Sequence, residues 1–170
     1  MKDKVKILLV DDEERFIDGL QGVLDHYNFS CARALNGTEA RQLLKQEDFD
    51  IALLDVGLPD MSGCDLAEYI TTSCPDTSAI MLTGLNTVET AVQAMKQGAY
   101  DFRAKPINLE HLIKAIDKAV EHNQLRKDLR VSVARFQVLA EAGWEGIAVV
   151  EEDTLVEGNS QLFQMFGYAK

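Results

Sequence analysis

The chain has 170 residues, 46% of them apolar and 26% charged. That is the make-up of a globular protein with room for one domain of about 100 to 150 residues and an additional piece. A net charge of −11 argues against general nucleic-acid binding, since a phosphate backbone would repel it and no basic cluster breaks the pattern. No segment reaches the roughly 20 apolar residues of a membrane span, so the expected location is cytoplasmic. Cys31, Cys64 and Cys74 include no CxxC pair and read as reduced, small hydrophobic residues.

Apolar β-type runs alternate with helix-period stretches. VKILLV (5–10) predicts a first strand, and Phe16, Leu20, Val23, Leu24 and Tyr27 form the stripe of a helix over 14–27. FSCARA (29–34), DIALLD (50–55), TSAIML (77–82) and AYDF (99–102) predict four more strands. Between them, helices are expected over 38–46, 64–73 and 87–97, punctuated by Asn36-Gly37, Ser62-Gly63 and Gly98. Five strands with helical crossovers imply a parallel, doubly wound α/β sheet, apolar throughout because helices cover both faces. Leu109, Leu112, Ile113, Ile116, Ala119 and Val120 open a fifth helix. The periodicity continues through Leu125, Leu129, Val133, Phe136 and Ala140 with no Gly or Pro from 107 to 142, which predicts one long helix over 109–140. The alternative is a broken helix folded back on the sheet.

In such a sheet, function gathers beyond the carboxyl ends of the strands. The first strand ends in Asp11-Asp12, the third in Asp55, the fourth in Thr83-Gly84, and the fifth is followed by Lys105-Pro106. One edge thus receives three carboxylates, a hydroxyl and an ammonium. Clustered carboxylates repel unless a cation neutralises them, and oxygen-only donors at an open rim suit Mg²⁺. Asp11 and Asp12 taken alone fit equally well as caps of the following helix. Asp55 is a candidate nucleophile toward phosphorus, with Lys105 pairing to phosphoryl oxygens and the Thr83 hydroxyl donating to one. Pro106 biases Lys105 toward extended geometry and raises the chance of a cis bond.

The pieces ILLVDDEE, LLDVGLPDMSG, MLTG and AYDFRAKPI, in this order and spacing, resemble the receiver domain of two-component response regulators over about residues 3 to 122. The resemblance implies a flavodoxin-like sheet of order 2-1-3-4-5. It makes Asp55 the phospho-acceptor, Asp12 a direct Mg²⁺ ligand, Asp11 a neighbour acting partly through water, and the Gly57 carbonyl a further metal donor. Thr83 and Lys105 would sense the acyl phosphate. Phe102 stands where the family has its switch aromatic, though a core-packing role fits it as well. Gly57 departs from the family, where a larger side chain is usual, which leaves phosphoryl lifetime open. In similar proteins the Lys105-Pro106 bond is cis.

The stretch RFQVLAEAGWEGIAVVEEDTLVEGNSQLFQMFGYAK resembles the start of a PAS sensory domain, with an opening helix, a strand pair around GIAVV and TLVEGN, and the helix SQLFQMFGY. Only about a third of such a domain is present, so this α+β portion is expected to pack poorly and the chain to be a piece of a larger protein. The expected division is a receiver over 1–122, a helical linker over 123–140 and a truncated PAS-like start over 141–170. The linker stripe predicts a parallel homodimer. The expected function is a switch that accepts a phosphoryl group on Asp55 from a histidine kinase or phosphotransfer protein and drives a PAS-containing output. Its only catalysis would be its own phosphorylation and dephosphorylation. Two alternatives remain. One is a Mg²⁺-dependent aspartyl-phosphate phosphohydrolase, disfavoured because such enzymes carry a second acid where this chain has Gly57. The other is a phosphorylation-independent binding module.

Overall fold

The computed structural model describes residues 4–84, 88–143, 145–152 and 154–167. The expected helix residue 87 and the closing Tyr168 lie outside them. The chain divides into two compact units, Met1–Leu125 and Arg126–Lys170.

The first unit alternates strand and helix: β1 (Lys6–Val10), α1 (Glu14–His26), β2 (Ser30–Ala34), α2 (Gly37–Gln46), β3 (Ile51–Asp55), α3 (Gly63–Ser73), β4 (Ser78–Thr83), α4 (Val88–Lys96), β5 (Asp101–Ala104) and the first half of α5 (Leu109–Ala142), whose remainder belongs to the second unit. The strands are parallel, in the expected order β2-β1-β3-β4-β5. Successive side chains of a strand point to opposite faces, and the core obeys this closely. Leu8, Val10, Ala52, Leu54 and Met81 pack with Ala40, Leu66, Ile70 and Ala94 of α2, α3 and α4. Ile7, Leu9, Ile51, Leu53, Ile80 and Leu82 pack on the other face with Ile17 and Leu24 of α1 and with Leu112, Ile116 and Ala119 of α5. The runs 7–10, 51–54 and 79–82 of the central strands are therefore apolar without a break, because these strands have two dry faces.

Two local caps fix helix starts near the sheet edge. Asn36 accepts from the Glu39 amide at 2.8 Å, and the Ser62 hydroxyl accepts from the Cys64 amide at 3.2 Å.

The fifth strand differs from expectation. It spans Asp101–Ala104 and not 99–102, because Gly98 takes φ +89° and the Tyr100 amide already reaches the Ala79 carbonyl, so pairing with β4 begins at Ile80↔Asp101. Thr83 is correspondingly the last residue of β4 rather than the first beyond it. All three cysteines are free, and burial, aided by the Asp25 charge, pushes the Cys31 thiol up to about 11. No helix among the described residues is long and apolar enough to cross a membrane.

The long helix α5 is continuous for 34 residues, as its uninterrupted periodicity predicts. Within the second unit, β6 (Ala148–Glu151) and β7 (Thr154–Gly158) form an antiparallel hairpin followed by α6 (Ser160–Met165). The buried Asn159 side chain ties this unit together. Its amide donates to the Ala140 and Glu145 carbonyls, and its oxygen accepts from the Ile147 and Leu162 amides.

Candidate functional site

Parallel register brings the strand ends to one edge. Val10 pairs with Leu54, Asp55 with Leu82 and Thr83 with Ala104, so the residues following β1, β3, β4 and β5 share one rim. Asp11, which follows β1, is only 2% exposed. Its Oδ1 accepts from the Glu13 amide at 2.9 Å, and its Oδ2 accepts from Lys105 Nζ at 2.6 Å. One oxygen thus holds the Glu13 amide ahead of α1 and the other meets the Lys105 charge, but the N-cap of α1 is Glu13, which makes no side-chain cap bond, and neither Asp11 nor Asp12.

Lys105 Nζ also pairs with Asp55 Oδ1 at 3.0 Å. Burial alone would lower the lysine's pKa, but hydrogen bonds and charge from Asp11 and Asp55 outweigh it and hold it above its ordinary value. Its backbone is fixed too. The Lys105 amide donates to the Thr83 carbonyl at 2.7 Å, and the Lys105-Pro106 bond is cis. The other Asp55 oxygen, Oδ2, accepts from the Gly57 amide at 2.6 Å. Thr83 is buried at 2% exposure, immediately across from Ala104.

The three carboxylates expected at this edge resolve into two plus one. Asp11 and Asp55 share the Lys105 ammonium, while Asp12 is exposed, and no group of three acidic, histidine or cysteine side chains among the described residues forms a ready metal cluster. The ammonium sets one formal positive charge against three carboxylates, which leaves two formal negative charges at this edge. The donor chemistry fits a hard cation, since Asp11, Asp12, Asp55 and the Gly57 carbonyl offer oxygen only.

Phe102 is half-buried and packs on the α2-α3-α4 face of the core, so in this geometry its ring serves packing. Three contributors were not evident in the sequence. Phe16, counted there as one member of an α1 stripe, places its ring centroid 4.1 Å from Lys105 Nζ. Gly63 lies so close to the Asp55 backbone that a Cβ would fall 1.9 Å from the Asp55 carbonyl oxygen, and its amide donates to the Val56 carbonyl at 2.9 Å. Asp60 accepts from the Gly37 and Thr38 amides, both at 2.8 Å, and from the Thr38 hydroxyl at 2.6 Å, which ties the β3–α3 loop to the start of α2. Gly63 and Asp60 both sit in the DMSG run, where tight turn chemistry was the available signal.

The family profile described as "Response regulator receiver domain" matches residues 7–117. The chain is 41% identical over 115 residues to the response regulator protein PilR of Pseudomonas aeruginosa, covering 68% of this chain and 26% of that protein. It is 32% identical over 123 residues to the transcriptional regulatory protein ZraR of Klebsiella oxytoca, covering 72% and 28%. The chain thus spans about a quarter of these relatives' length. Among solved structures, a response regulator protein from Burkholderia pseudomallei, described with a phosphorylated aspartic acid, a calcium ion and citrate, superposes with a TM-score of 0.64 at 33% identity, covering 75% of each chain. With sheet order, strand-end residues and sequence match in agreement, this chain belongs to the response regulator receiver domain family.

Proposed function

We propose that the first unit is a phosphorylation switch whose acceptor is Asp55. The observation that carries this reading is the Lys105 ammonium held between Asp55 and Asp11 at the sheet edge. An Asp55 carboxylate oxygen attacks the phosphorus of a phosphohistidine or a small acyl phosphate, a new O–P bond forms, and the bond to the leaving group breaks. Lys105 follows the charge onto the phosphoryl oxygens. The Thr83 hydroxyl and the backbone amides after Asp55 and Thr83 donate to the remainder. Asp12, Asp11, Asp55 and the Gly57 carbonyl would hold Mg²⁺, which when bound screens the incoming anion. Thr83 drawn toward the phosphoryl group frees space for Phe102, so that the α4-β5-α5 face changes shape. The donor is a histidine kinase or a phosphotransfer protein, and the location is cytoplasmic.

For the remainder of the chain we propose a helical linker over 123–140 and a PAS-like start over 141–170. The helix, hairpin, helix order of α5, β6, β7 and α6 supports that reading. Leu129 and Phe136 stand 66% and 63% exposed along α5, which favours a homodimer through this helix. Of the relatives, ZraR is named as a transcriptional regulatory protein.

Incubation with acetyl phosphate and Mg²⁺, followed by intact-mass analysis, tests the core of this reading. One added phosphoryl group is expected, and none in Asp55→Asn. Undiminished labelling of that variant overturns the assignment, and turnover of added phosphate esters would favour a phosphohydrolase. For the linker, sedimentation at tens of micromolar is expected to give a dimer that Leu129→Asp dissociates; a monomer overturns the pairing.

A further inference from the structure

We propose that Phe16 is a positioning residue for Lys105, holding the ammonium over the acceptor site by a cation–π contact. This rests on the phosphoryl-acceptor reading of Asp55.

A lysine side chain has four methylenes and ordinarily sweeps a wide arc. Here the ammonium has three well-defined neighbours: Asp11 Oδ2 at 2.6 Å, Asp55 Oδ1 at 3.0 Å and the Phe16 ring centroid at 4.1 Å. The two carboxylates satisfy two of its three N–H directions. The aromatic ring attracts the ammonium by its negative face and covers it from water without adding a proton acceptor. An aliphatic side chain would desolvate the charge and return nothing. A third carboxylate would compete with Asp55.

The ring is itself held in place. Phe16 lies in the first turn of α1, its amide donates to the Glu13 carbonyl at 2.9 Å, and it packs against the α1-α5 face of the core beside the buried Ile17. The Glu13 amide in turn donates to Asp11 Oδ1. One short stretch of chain, 11–16, therefore supplies both a carboxylate and the aromatic face that meet Lys105.

The consequence lies in the transfer step. When Asp55 takes the phosphoryl group, Lys105 must exchange its Asp55 oxygen for a phosphoryl oxygen. Asp11 is one of the groups that would hold Mg²⁺, whereas Phe16 binds neither metal nor phosphoryl group, so the ring is the neighbour that keeps the ammonium over the same point throughout. The loss of Phe16 should therefore slow phosphorylation while leaving the oxygen donors for Mg²⁺ intact.

The test uses the full chain with Phe16→Leu and Phe16→Ile as aliphatic variants and Phe16→Trp as the aromatic rescue. Acetyl phosphate labelling of Asp55 is expected to slow about three- to tenfold in the aliphatic variants and to recover in Phe16→Trp. Mg²⁺ affinity and thermal midpoint should stay close to wild type. In the metal-free protein, the Lys105 ε-methylene protons should show an upfield ring-current shift in the NMR spectrum that the aliphatic variants lose. Wild-type labelling rates in both aliphatic variants, or a Phe16→Trp as slow as they are, overturns the positioning role alone. An absence of labelling at wild-type Asp55 brings down the acceptor reading itself, and the positioning role with it, whatever the ring-current shift.

Discussion

The strands of the two units are written in similar letters and meet different fates. In β3 and β4 the apolar side chains are buried on both faces, with Ile80 at 0% exposure, whereas Val150 in β6 is 58% exposed and Leu155 and Val156 in β7 are exposed as well. Composition does not separate them. In the first unit, α1 and α5 cover one sheet face and α2, α3 and α4 the other, so each apolar residue removed from water meets a partner. The β6–β7 hairpin has two strands only, and such a pair buries little by itself. Its order comes mainly from hydrogen bonds, with Asn159 satisfying four backbone groups. One unit is held by packing and the other by a polar knot.

The sharpest way to break that contrast is a pair of truncations. Ile80→Ala should destabilise the first unit by about 2–5 kcal/mol in urea unfolding, while Val150→Ala should cost less than about 0.5 kcal/mol. Comparable losses would mean that the hairpin is packed as tightly as the sheet.

Next in size come the two buried asparagines. Asn123 accepts from the Ser78 hydroxyl at 2.7 Å and donates to the Asp50 carbonyl at 2.9 Å, and so pins α5 beneath β3 and β4. Asn123→Ala should cost the first unit about 1–3 kcal/mol, because a buried hydroxyl and a carbonyl lose their partner. Asn159→Ala should instead speed hydrogen exchange at the Ile147 and Leu162 amides. Unchanged exchange there would remove the polar-knot account of the second unit.

A smaller effect of opposite sign is expected in α1. Gly22 is exposed inside that helix, with nothing within 4 Å of a prospective Cβ. Gly22→Ala should therefore raise the stability of the first unit by about 0.5–1 kcal/mol, read as a higher urea midpoint. The same change at Gly63 should do the reverse and disturb Asp55, whose carbonyl occupies the space.

The smallest effect concerns Asp60. Its hydrogen bond from the Thr38 hydroxyl, with those from the Gly37 and Thr38 amides, holds its carboxyl below the ordinary value of 3.8. A depressed carboxyl stabilises the fold above its unfolded value and loses that contribution as pH falls through its folded one. The midpoint difference between wild type and Asp60→Asn should accordingly be present at neutral pH and vanish on the acid side of 3.8. A difference that persists in acid would mean that shape, not charge, matters at this turn.

Much of this protein was legible in its letters. Continuous apolar runs separated by helix-period stretches dictate a two-faced parallel sheet. The side-chain period of two and the short loops then deliver Asp11, Asp55, Thr83 and Lys105 to one rim. The uninterrupted stripe from Leu109 onward likewise predicts a single helix. These features are local, set by residues a few positions apart. What only the tertiary structure decided acts across space. The start of β5 was set by pairing with β4 rather than by its own residues, and the direct contact of Lys105 with both Asp11 and Asp55 joins groups as far as 94 residues apart in the chain. The aromatic face on that ammonium and the collision awaiting a Cβ at Gly63 arise the same way. Each depends on which atoms the folded sheet edge brings within a few ångströms, and a linear pattern carries no record of that distance.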